Sequence, residues 1–165
     1  MADRKAAKTI GLILAVVVLA LEFVCNVDWS VVGICKGAQL TERLCYSLIH
    51  ASLIHVAVNT WCLLSVIFIY DINWQKLAVA YLAAVFVPDL FLSVTPTVGL
   101  STVCYSLLGM AAFQTKRKLF YNTCIAIYIL MGFLFPSVNA WLHLYGYLVG
   151  LLVGVLNLPV RWRGR

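Results

Sequence analysis

Apolar residues run almost unbroken through six stretches of the chain, and short polar interruptions separate them. The runs cover approximately residues 10–27, 51–70, 74–92, 101–114, 119–135 and 138–158. Most are close to the ~20 residues an α-helix needs to cross the hydrocarbon core of a bilayer. The pattern predicts an all-α membrane protein, a six-transmembrane-helix bundle with a short central fourth span. The breaks carry turn chemistry: Asp71-Ile72-Asn73 divides the second and third spans, and Pro136 divides the fifth and sixth. Before the fourth span, residues 93–98 form an irregular, Pro96-containing segment. Irregular backbone at membrane depth is tolerated only where protein buries it or water reaches it. The outer end of the fourth span is therefore a candidate cavity.

Residues 28–49 fit neither class, because Asp28, Trp29, Lys36, Gly37, Glu42 and Arg43 interrupt an apolar background. The stretch predicts an interfacial, partly buried loop with Trp29 at headgroup level. The first run follows Arg4, Lys5 and Lys8, as in a signal peptide, but it is too long for an h-region and lacks an A-x-A cleavage pattern. It predicts a retained span.

Composition narrows the class further. Of 165 residues, 64% are hydrophobic and 11% charged, and the mean hydropathy is +0.98. A soluble domain carries about 25% charged residues. The length suits a single domain over residues 1–165. The net charge of +6 reads as a topology signal rather than a nucleic-acid footprint, because the basic residues sit in clusters between the apolar runs. With six spans, ten of the twelve Lys and Arg fall on the side of both termini, leaving only Lys36 and Arg43 opposite. The positive-inside rule then puts both termini in the cytoplasm. The six cysteines form no CxxC pair and no metal-ligand spacing with histidine. Neither metal nor cofactor is expected, and a Cys35–Cys45 pair on the outer side stays open.

Candidate chemistry rests on a few polar residues. His55 and Asn59 (i, i+4) share a face in the outer part of the second span. His50 lies about 140° round the helix from His55, which places it at the helix mouth, bonded to the 28–49 loop. Ser101 opens the fourth span after Gly99, a flexible or close-approach position, and Tyr105 follows one turn below. His143 lies about a turn and a half into the sixth span, on one stripe with Gly146, Gly150 and Gly154. Small residues at this spacing let membrane helices approach closely. If the neighbour is the fourth span, His143 comes within hydrogen-bond reach of Ser101. Each feature alone has a plain structural reading: packing glycines, a serine bonded to its own helix, or histidines as interhelical partners. Glu22, inside the first span, reads as a structural hydrogen-bond partner facing the bundle. What lifts a catalytic reading is that Ser101, His143, His55 and Asn59 fall at one depth, just below the outer surface.

These residues resemble the motifs of rhomboid intramembrane serine proteases. His50-Ala51-Ser52-Leu53-Ile54-His55-Val56-Ala57-Val58-Asn59 resembles the family's second-span motif. Gly99-Leu100-Ser101-Thr102 is similar to its G-x-S-G, and His143-Leu144-Tyr145-Gly146 with Gly150 to its H-x-x-G-x-x-x-G. The resemblance covers the whole chain and looks like the minimal bacterial-type core. It implies Ser101 as nucleophile and His143 as general base, with no acidic third member. It implies Tyr105 stacked on His143, and an oxyanion hole from His55, Asn59 and the Ser101 N–H. It further implies a structural His50, a bacterial inner-membrane location with the site open to the outer side, and substrates that are single-pass transmembrane proteins. The 28–49 loop and the fifth span would govern lateral access. Two positions depart from the family pattern: Thr102 replaces the last glycine of G-x-S-G, and Glu42-Arg43 stands where many members carry Trp-Arg. Two other readings stay open. One is a catalytically inactive rhomboid-like protein that binds transmembrane helices. The other is a small channel or transporter, which the apolar inner halves of the even-numbered spans disfavour.

Overall fold

A computed structural model describes residues 2–24 and 27–156. Cys25, the ends of the first and sixth predicted spans, and the basic tail of Arg161, Arg163 and Arg165 lie outside them. The described residues are helical, with one isolated antiparallel bridge between Ile34 and Thr97 and no strand.

Eight α-helices follow in order: α1 Ala2–Val24, α2 Trp29–Val32, α3 Leu40–Cys45, α4 Leu53–Ile69, α5 Trp74–Val85, α6 Ser101–Ala111, α7 Lys118–Gly132 and α8 Ala140–Leu156. Helices α1, α4, α5, α6, α7 and α8 correspond to the six predicted spans. Among the described residues, α1 alone is long and apolar enough to cross a membrane by length and composition; α4, α7 and α8 are shorter apolar helices. Six crossings therefore do not follow from helix length.

Several boundaries differ from the sequence reading. Helix α1 starts at Ala2 rather than residue 10, so Arg4, Lys5 and Lys8 ride on its first turns. Arg4 pairs with Asp71 at 3.3 Å, and the Lys8 ammonium lies 4.8 Å over the Phe68 ring. Helix α5 stops at Val85 instead of running to residue 92. Pro88 lacks an N–H and holds Val87 out of the helical region, which ends the helix just upstream. A 3₁₀ turn, Asp89–Phe91, follows.

Helix α1 turns its small residues inward and its large apolar ones outward. Ala7, Gly11, Ala15 and Val18 are the buried stripe of α1, whereas Ile13, Val16 and Phe23 are exposed. Gly11 admits α4, since a Cβ there would meet Ile67 Cδ1 at 2.7 Å. Exposed Leu, Ile, Val, Phe and Trp cover the outer faces of α4, α7 and α8 as well. An exterior this apolar is suited to lipid rather than water.

Helices α6 and α8 form the most intimate contact in the bundle. A Cβ on Gly150 would lie 2.0 Å from the Ser106 carbonyl oxygen, one on Gly146 2.6 Å from Thr102 O, and one on Gly109 2.4 Å from Tyr147 O. Backbone meets backbone along this seam, and Gly154 continues it against the Phe113 ring.

The 28–49 stretch is a folded strap containing α2 and α3, stitched to the segment before α6. Ile34 and Thr97 exchange N–H···O bonds of 2.8 and 3.0 Å, Lys36 N–H donates to Ser93 O, and Gly99 N–H donates to Tyr46 O at 2.9 Å. Arg43 locks the strap from below by donating to the Ala38 and Val87 carbonyls and pairing with Asp89. Glu42 closes a capping box with Gln39 at the start of α3. The Glu42-Arg43 pair is thus fully used in fixing the loop. Cys35 and Cys45 are free thiols.

Candidate active site

Three helices begin at one place. Ser101 is the first residue of α6, His55 the third of α4 and His143 the fourth of α8. Each start has a local cause. The Ser52 hydroxyl accepts from His55 N–H and caps α4. The Asn139 side chain accepts from Leu142 N–H at the head of α8 and donates to Thr97 Oγ1. Gly99, at φ +121°, turns the chain into α6 through a conformation L side chains rarely adopt. His143 therefore sits in the first turn of α8, not a turn and a half into it, because the helix begins at Ala140.

At this junction the Ser101 hydroxyl lies 3.0 Å from His143 Nε2. A serine O–H donating to Nε2 requires the ring proton on Nδ1. The Tyr105 ring stacks on the His143 imidazole with centroids 4.4 Å apart and planes at 17°. The glycine seam delivers this geometry, because His143 and Gly146 share the face of α8 that rests on the α6 backbone. Thr102 is fully buried, and its carbonyl fits against Gly146. The branched side chain thus coexists with a hydrogen-bonded Ser101 and His143.

His55 and Asn59 close the opposite side. A Cβ on Gly99 would lie 2.7 Å from His55 Nε2 and 3.3 Å from Asn59 Nδ2, so only glycine lets these groups approach the Ser101 backbone. Asn59 is 6% exposed, and its Nδ2 has no hydrogen-bond partner. Native proteins rarely leave a buried donor unpaired outside a site that receives an acceptor. The Cys104 thiol donates to the Asn59 carbonyl and holds that residue's backbone against α6.

The site opens into a cavity of about 280 Å³ that Ser101, His143 and His55 line together with Thr97, Val98 and Asn139. A second cavity of about 520 Å³ shares His55, Thr97 and Asn139 and is walled by Trp29, Phe133, Phe135 and Trp141. Trp29 thus lines the approach to the site.

His50 has a partner beyond the one the sequence reading gives it. Its Nε2 accepts the Leu100 N–H at 3.3 Å, so it ties the segment entering α6 as well as lying beside the Leu48 backbone of the 28–49 loop. It packs edge-on against His55 with centroids 5.0 Å apart. Burial, then the neighbouring His55, pushes its pKa down to about 4, so the ring is neutral at pH 7. Asn139 and Tyr46 were not singled out in the sequence. The first is legible as a cap ahead of an apolar helix. The second depends on a contact across 38 positions, its hydroxyl donating to the Ala84 carbonyl, and no local signal reveals that.

The constellation suits acyl transfer. A hydroxyl lies at hydrogen-bond distance from an imidazole, with N–H donors and three helix N-termini around the space beside it. Helix N-termini favour negative charge, and donors fixed in advance around a developing oxyanion are the largest single source of rate in acyl transfer. The family model described as the Rhomboid domain matches residues 37–160. No curated protein matches the chain.

Proposed function

Since the chain belongs to the rhomboid family and is accordingly an integral membrane protein, we propose that it is an intramembrane serine protease that cleaves transmembrane segments of other membrane proteins. The observation that carries this reading is the 3.0 Å approach of Ser101 Oγ to His143 Nε2. His143 removes the hydroxyl proton as Ser101 attacks a peptide carbonyl, then returns it to the leaving amine. The stack with Tyr105 holds the imidazole in plane, the role a carboxylate has in a triad. Asn59 Nδ2, His55 and the Ser101 N–H receive the oxyanion.

Six crossings, with both termini on the cytoplasmic side, agree with the distribution of Lys and Arg. The strap and the 280 Å³ cavity would then face the outer side and admit the water that deacylation consumes. A substrate helix has to unwind locally, because a helical peptide bond is shielded by its own hydrogen bonds. The aromatic-walled second cavity suits an extended apolar segment. The alternative is a catalytically silent family member that holds transmembrane helices; the departure at Thr102 is its support.

The test is labelling of the purified, detergent-solubilised chain with a fluorophosphonate probe, beside Ser101→Ala and His143→Ala. Labelling that needs both residues is expected. A folded protein that stays unlabelled, also as Thr102→Gly, would move the assignment to the silent helix binder.

A further inference from the structure

A cavity of about 20 Å³ is lined by Glu22, Leu21, Val27, Ile49 and His50 and by none of Ser101, His143 and His55. Its size is that of a single water molecule. Two polar groups border it, and among the described residues neither has a hydrogen-bond partner on this side. His50 is 94% buried (6% exposed), and its Nδ1 has no hydrogen-bond partner. The Leu48 backbone is close enough to favour the charged ring slightly but does not satisfy Nδ1. Glu22 is half-buried near the end of α1 and makes no hydrogen bond or ion pair among the described residues. A carboxylate within a membrane-spanning helix is costly and takes a partner.

The protonation of His50 is dictated from its other side. Leu100 N–H donates to Nε2, so Nε2 must carry the lone pair and Nδ1 the proton. Nδ1–H is then a buried donor without a partner, on a residue that lines this cavity together with Glu22. We propose that Glu22 is a positioning residue: through one water in this cavity it accepts the Nδ1–H of His50 and holds that ring as the tautomer whose Nε2 fixes Leu100, the residue before the nucleophile. The chain of contacts runs from α1 to the first turn of α6 without touching substrate. Groups that face His50 are His55, edge-on, and Glu22, across the cavity. Without an acceptor for Nδ1–H, the ring can turn its proton to Nε2, which leaves the Leu100 N–H facing a donor and loosens the backbone that presents Ser101. This inference rests on the protease reading for its effect on rate, though the Glu22–His50 link exists independently of it.

The experiment compares the full chain with Glu22→Gln and Glu22→Leu in detergent, with a fluorogenic transmembrane peptide as substrate. Glu22→Leu is expected to lower kcat ~10-fold with KM within about twofold, the size of effect that an unsatisfied buried donor produces. Glu22→Gln keeps a carbonyl acceptor and is expected to stay within about threefold of the parent. In parallel, ¹⁵N-histidine NMR in a Ser101→Ala background reads the His50 tautomer, expected as Nδ1–H in the parent and Glu22→Gln and lost in Glu22→Leu. The proposal is overturned if Glu22→Leu leaves either kcat or the tautomer unchanged, or if Glu22→Gln behaves like Glu22→Leu. A parent that cleaves nothing would sink the protease reading, while the tautomer measurement would still decide the link.

Discussion

Gly150 and Ser106 meet without a side chain between them: a Cβ on Gly150 would stand 2.0 Å from the Ser106 carbonyl oxygen. That contact lies one turn below Thr102 and Gly146, and it sets how close α8, with His143, comes to α6, with Ser101. The obstacle is backbone and cannot rotate aside. Gly150→Ala is therefore expected to cost at least ~1–3 kcal/mol of stability through overpacking. It should also abolish fluorophosphonate labelling of the protein that remains folded. Leu152→Ala, on the exposed face of the same helix, should change both by little. Thermal unfolding in detergent and probe labelling check the pair.

The stacked ring of Tyr105 leads to a finer distinction. Its contact with His143 is face to face, so the ring matters more than the hydroxyl. Tyr105→Phe should retain kcat within about twofold, whereas Tyr105→Leu should lose ~3- to 10-fold, the range of an aromatic pair. Steady-state cleavage of a transmembrane peptide separates the two variants.

Asn59 holds a buried amide donor with no partner in the resting protein. If that donor meets the oxyanion, Asn59→Ala should reduce kcat by ~10²–10³ while leaving KM near the parent value. A change confined to KM would instead assign Asn59 to substrate binding.

A pH effect follows from His50. Its pKa falls from 6.5 in the unfolded chain to about 4 in the fold, so between these values the unfolded state binds more protons. Stability then rises with pH across the window, is fully present above pH 6.5, and is lost as pH falls toward 4. His50→Gln keeps an acceptor for Leu100 N–H but does not titrate. The parent should lose stability relative to this variant as pH is lowered through the window, as measured by unfolding in detergent.

The grouping of the candidate residues was legible in the sequence because it is set by helical spacing. His55 and Asn59 at i, i+4, Tyr105 below Ser101, and His143 on a glycine stripe are patterns that survive folding unchanged. The spacing does not name the partner of that stripe, which the structure identifies as α6. Long-range contacts were harder to read. The turn of His50 toward Leu100 depends on how Gly99 bends the chain, and a backbone bend has no periodic signature. The end of α5 was misplaced for a related reason: apolar residues continue past Pro88, so hydropathy runs on where the backbone cannot. The strap over residues 28–49 was visible only as a composition that fitted nothing else. Its bridge to Thr97 and the grip of Arg43 on Val87 and Asp89 pair residues more than 40 positions apart.

The α6–α8 seam also decides where this molecule can be improved. Its fit comes from atoms that are missing, so no repacking of side chains can repair a substitution there, and reactivity and folding fail at the same positions. A search for sturdier variants gains nothing at residues 109, 146 or 150. The lipid-facing surface of α1 and α4 can vary in shape as long as it stays apolar. Reactivity and robustness therefore share one seam, and shape is negotiable only on the surface that faces lipid.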